Sequence, residues 1–499
     1  MTNLKKIILS AAFALCSLTV CAQPAQHFIN NVLKKDPLFK NAVVGIYAVD
    51  NNGKKIAGWN SHFPLLTAST MKTITTGTAL SILGPDFRYQ TSISINGPVK
   101  NNILYGNLTI IGGGDPTFGS RDTVAYSIDS LFGVWTDALK AKGITKIVGN
   151  IVADDSFFTR EAIPDNWDWG NLGWDYGCAA SGLPFMENTQ IIRTTPGCKE
   201  NDGISIEVVY PQLPGQQILN EAVTGPAQSG DEVYYYPSDM LKVSRVEGYL
   251  GVDEKSVEHT WANKFPHMSA AAEYLKYLQA NGIEVVAPGS VNGSSTSAEA
   301  VVKDIVDMPA DYAVGADTIS TVYSPKLINI INVTNRISNN FYAETFLKTV
   351  GKKLTGKSSI SASARALKEY LKEQGVDVEG FSQADGSGLA RRNFVSAEFF
   401  TRFYSFMQKN ENFKEYLASF PYPGGPGTLK SVLKDSKYTK NKGRIHAKSG
   451  SLTGVRCYAG YVESRSHGMV RFAILVNNYS VPTSKMQPNI EKFLWELTK

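Results

Sequence analysis

At 499 residues, with 43% hydrophobic and 19% charged residues and a formal net charge of +5, the chain has an ordinary globular composition. The length exceeds what one compact core holds, so two or three domains are expected, and the composition excludes a disordered chain. The mild, unclustered positive charge excludes a nucleic-acid binder of the usual basic kind.

The chain opens on Lys5 and Lys6, an apolar stretch over residues 7–20, and Val20-Cys21-Ala22. That order predicts a cleaved signal peptide over residues 1–22, with Gln23 as mature start and an exported, periplasmic product. An uncleaved anchor and a lipoprotein linked through Cys21 are the alternatives, and the stretch is short for a span. No later stretch is long and apolar enough to span, so membrane contact is expected to be peripheral at most. Cys178 and Cys198 share a turn-rich segment and either pair or remain free thiols. Cys457 sits in a strand-like run as a buried thiol.

Residues 26–39 read as an amphipathic helix, with Phe28, Ile29, Val32 and Leu33 on one face. Strands follow over 42–49 and 54–59, then a helix over 69–83 that Gly84-Pro85 ends. From about 88 to 310 the pattern is strand-like, broken by Gly, Pro and Asn, with helices over 127–142 and 269–281. Helical patterns return over 325–337, 338–350 and 361–374. Three strands (443–450, 455–462 and 470–477) and a helix over 488–498 close the chain. Elements of both ends predict one shared sheet, with the middle as an insertion.

Three short motifs carry chemistry. Ser69-Thr70-Met71-Lys72 puts a lysine one helical turn from a serine. A serine hydroxyl needs a base to act as a nucleophile, and a desolvated lysine supplies one. The pattern recurs at Ser431–Lys434 and is weak by itself. Ser338-Asn339-Asn340 opens a helical pattern, where Ser338 also suits a plain N-cap. Lys448-Ser449-Gly450 is the only K-[ST]-G in the chain and falls on a strand. Together and in this order, the three are the signature of penicillin-binding proteins and serine β-lactamases.

The chain resembles the serine D-alanyl-D-alanine carboxypeptidase/endopeptidases, the class C low-molecular-mass penicillin-binding proteins. The resemblance extends through Gly106-Asn107-Leu108, Gly112-Gly113-Gly114-Asp115-Pro116, Asp385-Gly386-Ser387-Gly388-Leu389-Ala390-Arg391, Gly427-Thr428-Leu429 and Gly443 through Gly454. The insertion of about 265 residues between the first two motifs suits that family and is far longer than β-lactamases carry. Ser449 replaces the usual threonine, keeping the hydroxyl, and Ala390 replaces a serine.

The resemblance implies an α+β fold of the β-lactamase/DD-peptidase type with a large, mostly β insertion. The catalytic domain is expected over 23–88 and 312–499, a second domain over 89–160 and 245–311, and a third over 161–244. It implies Ser69 as nucleophile, Lys72 as base, Ser338 as proton relay and Asn340 as a hold on Lys72 and the substrate amide. Lys448 and Ser449 are expected to bind the substrate carboxylate, with Gly450 beside them in the substrate site, and the backbone N–H groups of Ser69 and Ser451 to form the oxyanion hole. Asp154 and Arg391, flanked by Leu452 and Thr453, would meet a diamino acid side chain; Asp155 is the alternative to Asp154. The lysine is expected to lose its charge through burial beside Lys448.

Expected partners are peptidoglycan stem peptides, cross-links and β-lactams, with no cofactor and no metal: six scattered histidines form no H-E-x-x-H. A β-lactamase and a non-catalytic peptidoglycan-binding scaffold are the rival readings. Trp167, Trp169, Trp174 and Tyr176 either line a sugar or peptide site or, as favoured here, form a small core. Gly112-Gly113-Gly114 is read as a turn, since no Lys-Ser/Thr follows it.

Overall fold

A computed structural model describes residues 24–289, 296–315 and 317–499. The expected signal segment and mature start lie outside them. Among the described residues, no helix is long and apolar enough to cross a membrane.

The chain divides into two compact units. One comprises the described part of Met1–Leu66 with Val395–Ser405 and Pro421–Lys499; the other comprises Thr67–Phe394 and Phe406–Phe420.

The first unit is built on a five-stranded antiparallel sheet in the order Lys55–Trp59, Val43–Val49, Gly468–Asn477, Val455–Ser464, Ile445–Leu452. The first strand of the chain pairs with the last, Val43 opposite Asn477 and Val49 opposite Arg471. The shared sheet expected from sequence is therefore present. Tyr458, Val462, Val470, Phe472, Ile474 and Val476 face a core completed by the helices Pro24–Asn31 and Thr483–Glu496.

Several helix boundaries differ from expectation, among them those at the two chain ends and that of Asn340–Thr355, which runs five residues further than read. The first helix stops at Asn31 and continues as 3-10 turns, Leu33–Lys35 and Pro37–Phe39. The residue before a proline is biased away from helix, and Asp36 is extended, its carboxylate accepting from Leu38 N. The closing helix starts earlier, at Thr483, and carries Pro488 inside it. That proline forfeits one backbone bond in a helix whose Met486, Ile490, Phe493 and Leu494 are buried. The helices Ala397–Gln408 and Phe413–Ser419 were not anticipated.

In the second unit the helix Met71–Leu83 packs against Leu327–Ile337 and Asn340–Thr355. It is buried from Met71 through Leu80, which is why its apolar pattern shows no single face. Beyond it lie a five-stranded and a four-stranded sheet, with the helices Ile128–Ala141 and Pro266–Ala280, around a core that includes Phe132, Trp135 and Tyr274. A further group of strands, including Asp231–Pro237, Val243–Gly251 and Val257–Ala262, surrounds Val233, Tyr235, Val246 and Trp261. The expected mostly β insertion is thus found as several sheets.

Candidate active site

The serine of the first motif sits where a strained turn becomes a helix. Ala68 has φ +44°, a left-handed conformation rare for a residue with a Cβ, and Ala68–Thr70 forms a 3-10 turn leading into Met71–Leu83. Thr70 Oγ1 donates to the Thr67 carbonyl at 2.7 Å, which pins the turn. Ser69 is left half-buried at its end.

Lys72, one turn on, is fully buried. Its Nζ lies 2.9 Å from Ser69 Oγ, 2.6 Å from Asn340 Oδ1 and 2.8 Å from the Ser387 carbonyl. The last two atoms can only accept. A neutral amine has two N–H bonds and one lone pair, so satisfying both acceptors turns the lone pair towards Ser69. Burial lowers the Lys72 pKa to about 7, opposed by the carboxylates of Asp385 and Glu344.

The backbone segment that offers the Ser387 carbonyl is held by two buried carboxylates that sequence reasoning had not assigned. Glu344, on Asn340–Thr355, accepts from the backbone N–H groups of Gly386 (2.9 Å) and Ser387 (2.8 Å). Burial and the nearby Asp385 raise its pKa. Asp385 accepts from Gly388 N, Ala390 N, Asn393 Nδ2 and Trp167 Nε1, at 2.6 to 2.9 Å. Thr75, on the lysine's own helix, donates to the Gly386 carbonyl at 2.7 Å. Gly388 must be glycine: its φ is +86° and a Cβ would lie 1.9 Å from the Ala68 carbonyl. The segment Asp385 to Ala390 was visible as a motif; that its backbone supplies an acceptor to Lys72 has no sequence signal.

Ser338 is not an N-cap. It ends Leu327–Ile337 in a left-handed conformation (φ +68°), and Asn339 caps the next helix, accepting from Tyr342 N at 3.0 Å. The longer Asn339 amide also donates to Glu187 Oε2 at 2.7 Å. Asn340 spends one amide hydrogen on the Tyr176 carbonyl at 2.9 Å, leaving one for other acceptors.

Lys448 and Ser449 are buried on Ile445–Leu452, the edge strand of the other unit's sheet, and Lys448 Nζ donates to the Ser449 carbonyl at 2.9 Å. Gly450 is buried too, Ser451 is exposed, and Thr453 occupies the hairpin tip with Gly454 at φ +72°. Asp154 is buried and accepts from Ser156 N at 2.9 Å. Arg391 pairs with the exposed Asp168 at 3.3 Å. Asp155 is held by Arg160, which also reaches Asp304 at 2.6 Å beside His267. This is the one trio of potential metal ligands among the described residues, and the guanidinium supplies its positive charge.

Cys178 is buried with its thiol pKa pushed up to about 12 by burial, Cys198 is exposed, and both are free. Cys457 is buried, as read. Gly112–Gly114 is not itself the turn read there: it continues from the strand Asn107–Ile111 as irregular chain, Gly112 N and Gly114 N donating to the Asp154 and Gly182 carbonyls, and the turn follows over 116–119. The aromatic cluster is not a small core. Trp169 and Tyr176 are exposed, Trp174 is half-buried against the edge of a neighbouring core, and Trp167 is buried with its Nε1 donating to Asp385. The local core is instead formed by Tyr235 and Trp261, stacked 4.9 Å apart.

Comparison with known proteins places this geometry. A D-alanyl-D-alanine carboxypeptidase of Actinomadura sp. (strain R39) is 26% identical over 465 residues, covering 91% of this chain and 81% of that protein. The D-alanyl-D-alanine carboxypeptidase DacB of Haemophilus influenzae is 26% identical over 488 residues, covering 96% and 93%. The crystal structure of penicillin binding protein 4 from Haemophilus influenzae superposes with a TM-score of 0.76 at 22% identity, covering 95% of this chain and 97% of that one. The fold is therefore the penicillin-binding, DD-peptidase fold. The sequence pattern of one family of serine peptidases matches residues 25–498, and the chain belongs to it: the D-Ala-D-Ala carboxypeptidase 3 (S13) family.

Proposed function

We propose that the chain cleaves D-Ala-D-Ala termini of peptidoglycan stem peptides through an acyl-enzyme on Ser69. The observation that carries this reading is the placement of Lys72 Nζ between two obligate acceptors and Ser69 Oγ. Ser69 Oγ attacks the penultimate D-Ala carbonyl while its proton passes to Lys72. The C–N bond breaks, Ser338 relays a proton to the departing amine, and water hydrolyses the Ser69 ester. The backbone N–H groups of Ser69 and Ser451 are assigned to the oxyanion, where charge develops only in the transition state.

Lys448 and Ser449 are assigned to the terminal carboxylate, Asn340 to the substrate amide through its remaining hydrogen, and Asp154 with Arg391, Leu452 and Thr453 to the diamino acid side chain. β-Lactams enter the same pathway and remain as an ester on Ser69. The bond beside a D-centre in a cross-link is open to the same chemistry. The substrate and the charge pattern of the first residues support action in the periplasm. The test is D-alanine release from a synthetic peptide ending in D-Ala-D-Ala. Ser69→Ala is expected to lower kcat by on the order of 10⁴-fold or more. An unchanged rate in that variant would refute the assignment.

A further inference from the structure

Several aromatic rings face solvent beside the catalytic loops. In Asp231–Pro237, Val233 and Tyr235 point into the core, so strand alternation sends Tyr234 and Tyr236 outward. Trp169 arrives from a separate turn and lies parallel to Tyr236, 6.1 Å between centroids and 15° between planes, yet remains 59% exposed. The Arg245 guanidinium lies 5.2 Å from the same Tyr236 ring. Tyr176 stacks on Trp174 at 6.5 Å and 7°, and Tyr234 meets Trp174 edge-on.

The rings are thus fixed by one another before any ligand arrives, which reduces the ordering cost of binding. One end joins the catalytic machinery through a backbone carbonyl and the other through a side-chain ion pair. The Tyr176 carbonyl accepts from Asn340, and Asp168, which precedes Trp169, pairs with Arg391 next to the Asp385 segment.

The fringe of the row carries four carboxylates, Asp168, Asp175, Glu232 and Glu247, of which Asp168 pairs with Arg391 and Glu247 with Arg245. The carboxylates outnumber the two guanidiniums, which disfavours phosphate and nucleic acid, and they accept hydroxyl and amide N–H groups. Flat π faces bounded by hydrogen-bond acceptors suit a ligand with C–H-bearing faces and polar edges. A sugar ring has that form, and in the reading above the scissile peptide is carried on a strand of N-acetylated sugars. We propose that Trp169, Tyr176 and Tyr234 form a platform for the glycan strand of the substrate. Tyr236 and Arg245 orient Trp169, and Trp174 orients Tyr176.

The proposal rests on the peptidase reading but is tested apart from it. The full chain is titrated with the β-1,4-linked tetramer of N-acetylglucosamine, followed by tryptophan fluorescence and calorimetry. Saturable binding is expected, weakened about 5- to 10-fold by Trp169→Ala and by Tyr234→Ala. Trp169→Phe, which keeps a flat ring, is expected to stay within about twofold of the parent; thermal melting checks that each variant is folded. No saturable binding, or binding that both alanine variants leave unchanged, overturns the platform. Concentration-dependent dimerisation abolished by Trp169→Ala, without sugar binding, overturns it in favour of a second copy. Benzylpenicillin acylation of the same preparation reports on the peptidase reading, so acylation without sugar binding sinks the platform alone.

Discussion

A lysine ammonium in water holds its proton to about pH 10.5, whereas burial brings Lys72 to about 7. In the proposed mechanism the neutral amine is the base, so acylation of Ser69 is expected to rise with pH through the neutral range and level off above it. Stopped-flow acylation by benzylpenicillin from pH 5.5 to 9 checks this, and a flat profile would contradict it. The same shift acts on stability. Between about 7 and 10.5 the unfolded chain binds the proton that folded Lys72 has shed, so this group's contribution to stability rises with pH across that window and is least favourable below it. Trp167 acts on the chemistry indirectly, through Asp385. Trp167→Phe leaves that buried carboxylate one donor short and is expected to cost about 1–3 kcal/mol in urea unfolding, with little effect at exposed aromatics such as Trp169.

At the scale of elements, the site is the meeting of three backbone devices: the strained turn before Ser69, the helix junction at Ser338 and Asn339, and the Asp385 segment. Gly388→Ala would drive a Cβ into the Ala68 carbonyl. It is expected to slow acylation by on the order of 10²-fold, because the nucleophile's turn must shift; a near-normal rate would mean the turn is set from elsewhere. Asn339→Ala removes a helix cap and the Glu187 contact, for an expected loss of about 1 kcal/mol in thermal or chemical unfolding.

These devices mark the limit of what the sequence discloses. The spacing of Ser69 and Lys72 on a helix, the order of the three motifs and the strands at both termini were legible because each is a local pattern. The roles of Glu344 and Trp167 were not, since each meets the Asp385 segment across a long stretch of chain. The aromatic residues were misread as core for a related reason: composition shows that rings cluster, not which side of a strand they leave by. The helix Ala397–Gln408 was missed although its period is in the sequence: Phe399, Phe400, Phe403, Tyr404 and Met407 are buried at helical spacing, and Glu398, Arg402, Ser405 and Gln408 recur on the less buried side.

At the scale of the whole molecule, Ser69, Lys72, Ser338 and Asn340 belong to one compact unit, and Lys448 and Ser449 to the other. The chain as a whole belongs to the S13 family, and the sheet shared by both chain ends explains how so long an insertion is accommodated. The central claim is that Ser69 is the nucleophile of a penicillin-binding peptidase. Mass spectrometry of the intact protein after incubation with benzylpenicillin tests it most directly. The expected result is a stable one-to-one adduct that maps to the peptide containing Ser69 and is absent from Ser69→Ala. No adduct with the drug left intact, or an adduct that persists in Ser69→Ala, would contradict it.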